Sequence, residues 1–283
     1  VEIDVVTTTD RSLLSGVRSV LETADEALMC VAFAHPRGVH LIEKELEAVA
    51  KRGDARMLVT TTFDQTGGSA LSLAVGAGVK VSTLNPGSGS TYHPKVYLGR
   101  TGKKLSAIVG SANLTGGLAM NVEAGVWLRG TTSDTQLSQL WDWAESMWED
   151  PRSEPWLAPA GDVGGDDELE AVLLAGIEAA RRRDPVFRTL GARPAPNLVT
   201  EVNRSGVFVE TERSTAEGRP PQLVPAWMFN LAWDVLRARG TLTNKELLTE
   251  LRVHRSSAVC AILARLPGVV VPPGQGVALR LTT

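Results

Sequence analysis

The sequence predicts an α/β fold over its first half, joined through an acidic connector to a smaller, helix-rich C-terminal domain that closes on a β-hairpin. Three observations carry this. Over residues 1–150 short apolar runs alternate with stretches of helical periodicity, the pattern of a layered α/β domain. Pro, Gly and acidic residues then cluster in "EDPRSEPWLAPAGDVGGDDELE", where no apolar period survives. From Ala226 onward helical patterns follow one another closely. The expected domains are 1–155 and 185–283, with an acidic linker and connecting helix at 156–184.

In chain order, the expected strands are "EIDVVTT", "ALMCVAF", "RMLVTTT" and "VKVSTL", then "KVYLG", "LSAIVG" and "VEAGVWL". Between the second and third, Val39, Ile42, Leu46 and Val49 recur at helical spacing, bounded by His35-Pro36 and Gly53, which predicts an amphipathic crossover helix. After the last strand, Leu137, Leu140, Trp141, Ala144, Met147 and Trp148 share one face of a helix expected to cap the sheet. Beyond the connector, Leu169, Val172, Leu173 and Ile177 mark a helix ending in Arg181, Arg182 and Arg183, where positive charge suits a helix C-terminus. "LVTEVNRSGVFVET" reads as two strands around Arg204-Ser205-Gly206, and "AEGRPPQLVP" as a loop.

Three helices follow. Met228, Leu231, Val235 and Leu236 mark the first, "TNKELLTEL" the second and "HRSSAVCAILARL" the third, before the hairpin "GVVVPPGQGVALRLT". Helix, tight turn, helix and β-wing is the layout of a winged helix-turn-helix. Arg252, His254, Arg255, Ser256 and Ser257 then stand at the start of the recognition helix, where such groups reach phosphates and base edges.

Composition narrows the class. Of 283 residues, 43% are hydrophobic and 22% charged, which excludes a mostly disordered chain. No apolar run is long enough for a membrane-spanning helix, and the N-terminal residues are neither a basic nor a long apolar leader, so a cytoplasmic protein without a membrane partner is expected. Cys30 and Cys260 stand far apart in apolar contexts and are expected as small core residues. The net charge of −3 conceals a gradient: 13 Lys/Arg against 12 Asp/Glu in residues 1–130, 1 against 12 in 131–180, and 15 against 8 in 181–283. The basic last third points to a polyanionic partner, DNA.

Chemistry concentrates in "YHPKVYLGRTGKKLSAIVGSANLTGGLAMNVEAGVWL". His93 and Lys95 are two apart at the start of a strand, so both side chains take the same side of the sheet. One strand later, Gly110-Ser111-Ala112-Asn113 forms a small-residue turn able to present a hydroxyl, an amide and backbone N–H groups to an anion. Glu123 opens the next strand. An H-x-K pair alone is expected by chance about 0.1 times in this composition. The downstream G-S-x-N and the carboxylate beyond it make accident improbable.

These residues resemble the H-x-K and G-S-x-N signature of the phospholipase D superfamily, and the order His, Lys, Asn, Glu resembles its small nucleases and metal-independent restriction endonucleases. The resemblance covers about residues 1–150. It implies a layered α-β-α sandwich, two histidines meeting at one site, one forming a phosphohistidine and the other protonating the leaving oxygen, with no metal or cofactor. Residue chemistry agrees: imidazole serves as nucleophile and as acid near neutral pH. Lys95 and Asn113 are expected on the non-bridging oxygens with Ser111 assisting, and Glu123 on the N–H of the non-reacting histidine nitrogen.

Two features depart from the family pattern. Its usual Asp five residues beyond the Lys is Arg100, and only one full motif is present, His35-Pro36-Arg37 lacking both the Lys and a following G-S-x-N. His35 is therefore read as a helix-entry residue, His40 as a surface or interface residue, and Tyr92 and Tyr97 as wall packing. A single motif per chain requires a homodimer with one shared site. The resulting expectation is a DNA phosphodiesterase, most specifically a type II restriction or phage-defence endonuclease. The alternatives are a DNA-binding regulator with an inactive sensor or dimerisation domain, and a lipid phosphodiesterase. The acidic stretch 160–170 is a candidate screen over the site.

Overall fold

Apolar strands with helices on both faces need one sheet between two helical layers, and that is how the first part of the chain is built. The structure is a computed structural model and describes residues 1–87, 89–157, 167–274 and 276–282. It divides into two units, Val1–Gly165 and Asp166–Thr283. In the first lie β1 (Glu2–Thr7), α1 (Ser12–Glu22), β2 (Glu26–Val31), α2 (Pro36–Arg52), β3 (Asp54–Val59), α3 (Gly68–Gly76), β4 (Lys80–Leu84) and β5 (Lys95–Thr101). β6 (Lys104–Gly110), α4 (Gly117–Met120), β7 (Ala124–Thr131), α5 (Thr135–Trp148) and β8 (Ser153–Pro155) complete it.

The eight strands form one sheet in the order β1-β7-β6-β5-β2-β3-β4-β8. β2, β3 and β4 run parallel, as their helical crossovers require, and every other pairing is antiparallel. α1, α2 and α3 cover one face and α5 the other, the expected α-β-α layering. On the α5 side, Leu137, Trp141 and Ala144 pack on Leu28, Cys30, Leu58, Leu98, Leu105 and Ala107, with Leu140, Met147 and Trp148 at the margin. All seven expected strands are present. The helices α1 and α3 and the short edge strand β8 were not anticipated. In α1, Leu13, Val17, Val20 and Leu21 do follow helical spacing and are buried.

His40, expected as a surface or interface residue, is buried within the chain at 9% exposure, with Nδ1 3.0 Å from Glu43 Oε2. α2 packs on α1, on α3 and on the sheet at once, so more than one apolar stripe of it is covered. Tyr92, Tyr97, Cys30 and Cys260 are buried, as expected of packing residues. Burial pushes both thiols up to about 12, which leaves them unreactive near neutral pH.

The second unit contains α6 (Ala171–Arg183), β9 (Val186–Arg188), β10 (Pro196–Asn203), β11 (Gly206–Thr211), α7 (Glu212–Ala216) and β12 (Gln222–Pro225). α8 (Ala226–Arg239), β13 (Thr241–Thr243), α9 (Asn244–Thr249), α10 (Ser256–Leu263), β14 (Val269–Val270) and β15 (Ala278–Leu281) follow. One sheet has the order β12-β11-β10-β9 and another β13-β15-β14. The segment read as a loop, "AEGRPPQLVP", ends in β12, because Gln222–Pro225 find a partner edge in β11. α6 buries Leu173, Ile177 and Ala180 within this unit, whereas Val172 is 58% exposed. Most of the acidic stretch 160–170 lies outside the described residues.

Folding of α6 into this unit changes the charge account. Residues 166–283 carry 15 Lys/Arg against 13 Asp/Glu, so the excess seen from residue 181 onward is nearly cancelled. Part of the cancellation is local: Glu178 holds Arg181 at 2.9 Å and Arg182 at 3.4 Å.

Candidate active site

The sheet topology brings one edge to focus. Val31 pairs with Lys95, Val96 with Val109, Gly110 with Gly125 and Thr7 with Ala124, so the C-terminal ends of β1, β2 and β6 meet the N-terminal ends of β5 and β7. Ligands of open α/β sheets bind at such strand ends. His93 and Lys95 enter β5 here, Ser111 and Asn113 leave β6, and Glu123 enters β7. Gly110 and Gly125 allow the last two to come close. A Cβ on Gly110 would stand 2.6 Å from Ala124 O, and one on Gly125 2.8 Å from Val109 O.

All five sequence-predicted residues of the first unit lie at this edge. Lys95 Nζ is 2.8 Å from His93 Nδ1 and 3.2 Å from Nε2. Near-equal distances to both nitrogens place the ammonium against the face of the imidazole. The His93 ring also stands edge-on to Phe33, with centroids 5.6 Å apart at 76°. Asn113 Oδ1 accepts the Phe33 backbone N–H at 3.2 Å, which orients the amide so that its NH2 is the end available to an anion.

Within one chain Glu123 is bonded to Ser111 and Asn121. Its Oε2 accepts from the Ser111 hydroxyl and its Oε1 from Asn121 Nδ2 at 3.2 Å. Ser111 Oγ in turn accepts from Ala124 N at 3.2 Å. Ser111 therefore gives its proton to Glu123 and positions that carboxylate. The Glu123 charge acts on Lys95 and raises its affinity for a proton, but partial burial of the amine outweighs it, and the Lys95 pKa lies below the ordinary lysine value.

Three supporting residues escaped the sequence reading. Thr8, 6% exposed, donates to Asn121 O at 2.5 Å and accepts from Glu123 N at 3.0 Å, pinning the Asn121–Glu123 segment. Asn121 was detectable only as a polar residue two before Glu123, and Phe33 only as the aromatic end of a strand. His35 is exposed and is the N-cap of α2, its backbone N–H bonded to Leu114 O at 2.9 Å.

The DNA-contact candidates belong to the second unit. His254 and Ser257 are exposed, and Arg252 and Arg255 are half-buried. Ser256 corrects the expectation, since it is 3% exposed and turned into the core. Its helix, α10, buries Val259, Cys260, Ala261, Ile262 and Leu263, so the anchor of the helix occupies the position assigned to a contact.

Among the described residues no group of three or more His, Cys, Asp and Glu side chains is placed to hold a metal ion, and no helix is long and apolar enough to cross a membrane.

No family model matches the chain and no curated protein matches it. Among solved structures it is similar to a phospholipase D family member, Nuc from Salmonella typhimurium, at 19% identity and a TM-score of 0.45, over 55% of this chain and 97% of that one. It is also similar to NucT from Helicobacter pylori, at 16% identity and 0.40, over 55% and 99%. A third is TrmBL2, an archaeal chromatin protein described with a novel mode of DNA binding, at 16% identity and 0.35, over 55% of each chain. Likenesses of this degree concern the course of the backbone and are silent on chemistry.

Proposed function

We propose that the first unit is a phosphodiesterase of the phospholipase D type that cleaves DNA through a phosphohistidine, at a site completed by a second copy of the chain. The observation that carries it is the meeting of His93, Lys95, Asn113 and the Ser111–Glu123 pair at one sheet edge, delivered by three separate strands. A His93 ring nitrogen attacks phosphorus, and the bond from phosphorus to the leaving oxygen breaks. That oxygen takes a proton from the His93 of the second copy. The same imidazole then removes a proton from water, whose oxygen attacks phosphorus and releases His93. Lys95 and the Asn113 NH2 hold the non-bridging oxygens, and an arriving phosphate draws the Lys95 ammonium off the ring and frees the nucleophile.

A second copy has a surface to use. Val122, next to Glu123, is 95% exposed, and Ile3 and Val5 on the edge strand β1 are 62% and 73% exposed. The finer reading is a type II restriction or phage-defence endonuclease. The order α8, β13, α9, α10 and the β14–β15 hairpin supports a winged helix in the second unit, with Arg252, His254, Arg255 and Ser257 as its DNA contacts.

Plasmid DNA incubated with the protein in EDTA tests the chemistry. The parent is expected to nick or cut it and His93→Ala to leave it intact. Loss of cleavage on adding chelator, or full activity in His93→Ala, overturns the proposal, and an active monomer in sedimentation overturns the shared site.

A further inference from the structure

We infer that Phe63 is a stacking platform for a nucleobase of the substrate strand beside the scissile phosphate. The inference rests on the phosphodiesterase reading above and names a contact for its substrate. Phe63 is 63% exposed, a large aromatic ring outside the core. It sits in a single helical turn, Thr62–Asp64, and both it (φ 72°, ψ 12°) and Asp64 (φ 53°) adopt the left-handed conformation that residues with a Cβ rarely take.

The surrounding loop is held in that shape. Asn85 Oδ1 accepts from Thr60 Oγ1 at 2.6 Å, from Thr61 N at 3.1 Å and from Thr62 Oγ1 at 3.1 Å, while its Nδ2 donates to Thr61 Oγ1 at 3.0 Å. A strained backbone fixed by a polar network, with an apolar ring in water, returns nothing to folding. Such outliers gather where a ligand is gripped.

Its place relies on a shared spacer. Thr60 N donates to Ala32 O at 3.0 Å and Ala34 N to Thr66 Oγ1 at 3.3 Å, so the Phe63 loop flanks residues 32–34 on one side. On the other side Ala32 N donates to Pro94 O at 2.8 Å and Phe33 carries His93 and Asn113. The strands that lead into the loop and into His93 thus flank β2, their backbones roughly 10 Å apart at the usual strand spacing. That is within the reach of a neighbouring nucleotide. A nucleobase meets an exposed phenyl ring through its π-face whatever its sequence.

The test uses the full chain in EDTA with two single-stranded DNA oligonucleotides of equal length, one intact and one carrying tetrahydrofuran abasic residues throughout. Phe63→Asn removes the ring and tolerates the left-handed backbone, so it folds, as an unchanged melting temperature will confirm. It is expected to lose about tenfold or more in kcat/KM on the intact strand, chiefly through KM, and almost nothing on the abasic strand. Phe63→Trp is expected to restore cleavage of the intact strand. An equal loss on both strands, or no loss on the intact one, overturns the inference while leaving the phosphodiesterase reading standing. A parent protein that cuts plasmid but neither strand overturns the inference alone, and one that cuts neither plasmid nor strand overturns both.

Discussion

Replacing Gly38 by alanine puts a methyl group where the backbone of the site already is. The added Cβ would lie 2.2 Å from Leu114 O, 2.3 Å from Leu114 C and 2.4 Å from Thr115 N, where ordinary contact begins at 3.4 Å. All three are backbone atoms, so no rotamer change relieves the clash, and the start of α2 must separate from residues 114–115 by about 1 Å. That seam carries His35 N to Leu114 O at 2.9 Å and Leu114 N to Phe33 O at 3.1 Å, and next to it Asn113 Oδ1 accepts from Phe33 N. Overpacking of this kind costs about 1–3 kcal/mol, and each weakened hydrogen bond about 1 kcal/mol more. Because Asn113 moves with the seam, a shift of about 1 Å is expected to lower kcat/KM about a hundredfold. Urea unfolding followed by circular dichroism and plasmid cleavage in EDTA measure the two effects. Gly76→Ala at the end of α3, where nothing lies within 4 Å of the new Cβ, is the control and is expected to keep both stability and activity. A Gly38→Ala protein with the urea midpoint and cleavage rate of the parent would refute the reasoning.

Two further outcomes follow from the same geometry. Burial favours the neutral amine of Lys95, so its proton is lost below the ordinary lysine range. Raising the pH through that value removes the charge that binds phosphate oxygens and relieves a desolvation cost in the folded state, so activity falls there while stability does not. Lys95→Arg, which stays protonated, is expected to move the alkaline limb of kcat/KM upward, and a limb unchanged in that variant would take Lys95 out of the titration. In the second unit Asn230, fully buried, accepts from Glu170 N at 3.0 Å and donates to Asp167 Oδ2 at 2.9 Å and Glu168 O at 2.8 Å, holding the entry to α6. Asn230→Ala is expected to cost about 2–4 kcal/mol in chemical denaturation, and an unaltered denaturation curve would contradict that role.

What the sequence determined by itself is whatever has a short period. The seven long strands of the first unit show as apolar runs, the capping face of α5 shows in Leu137, Trp141 and Ala144, and the shared side of His93 and Lys95 follows from the two-residue repeat of a strand. The turn carrying Ser111 and Asn113 was equally visible, because its small residues stand in one unbroken stretch. Tertiary structure decided the rest. Glu123 finds Ser111 and Asn121 within its own chain, Thr8 reaches Glu123 across 115 positions, and Phe33 reaches Asn113 across 80. His40 and Ser256 look like surface residues until neighbouring elements close over them. The basic third of the chain loses most of its excess once α6 folds in with its acidic neighbours. Periodicity reports the direction of a side chain from its own backbone over a few residues, whereas partner, burial and local charge depend on which distant segments pack against it.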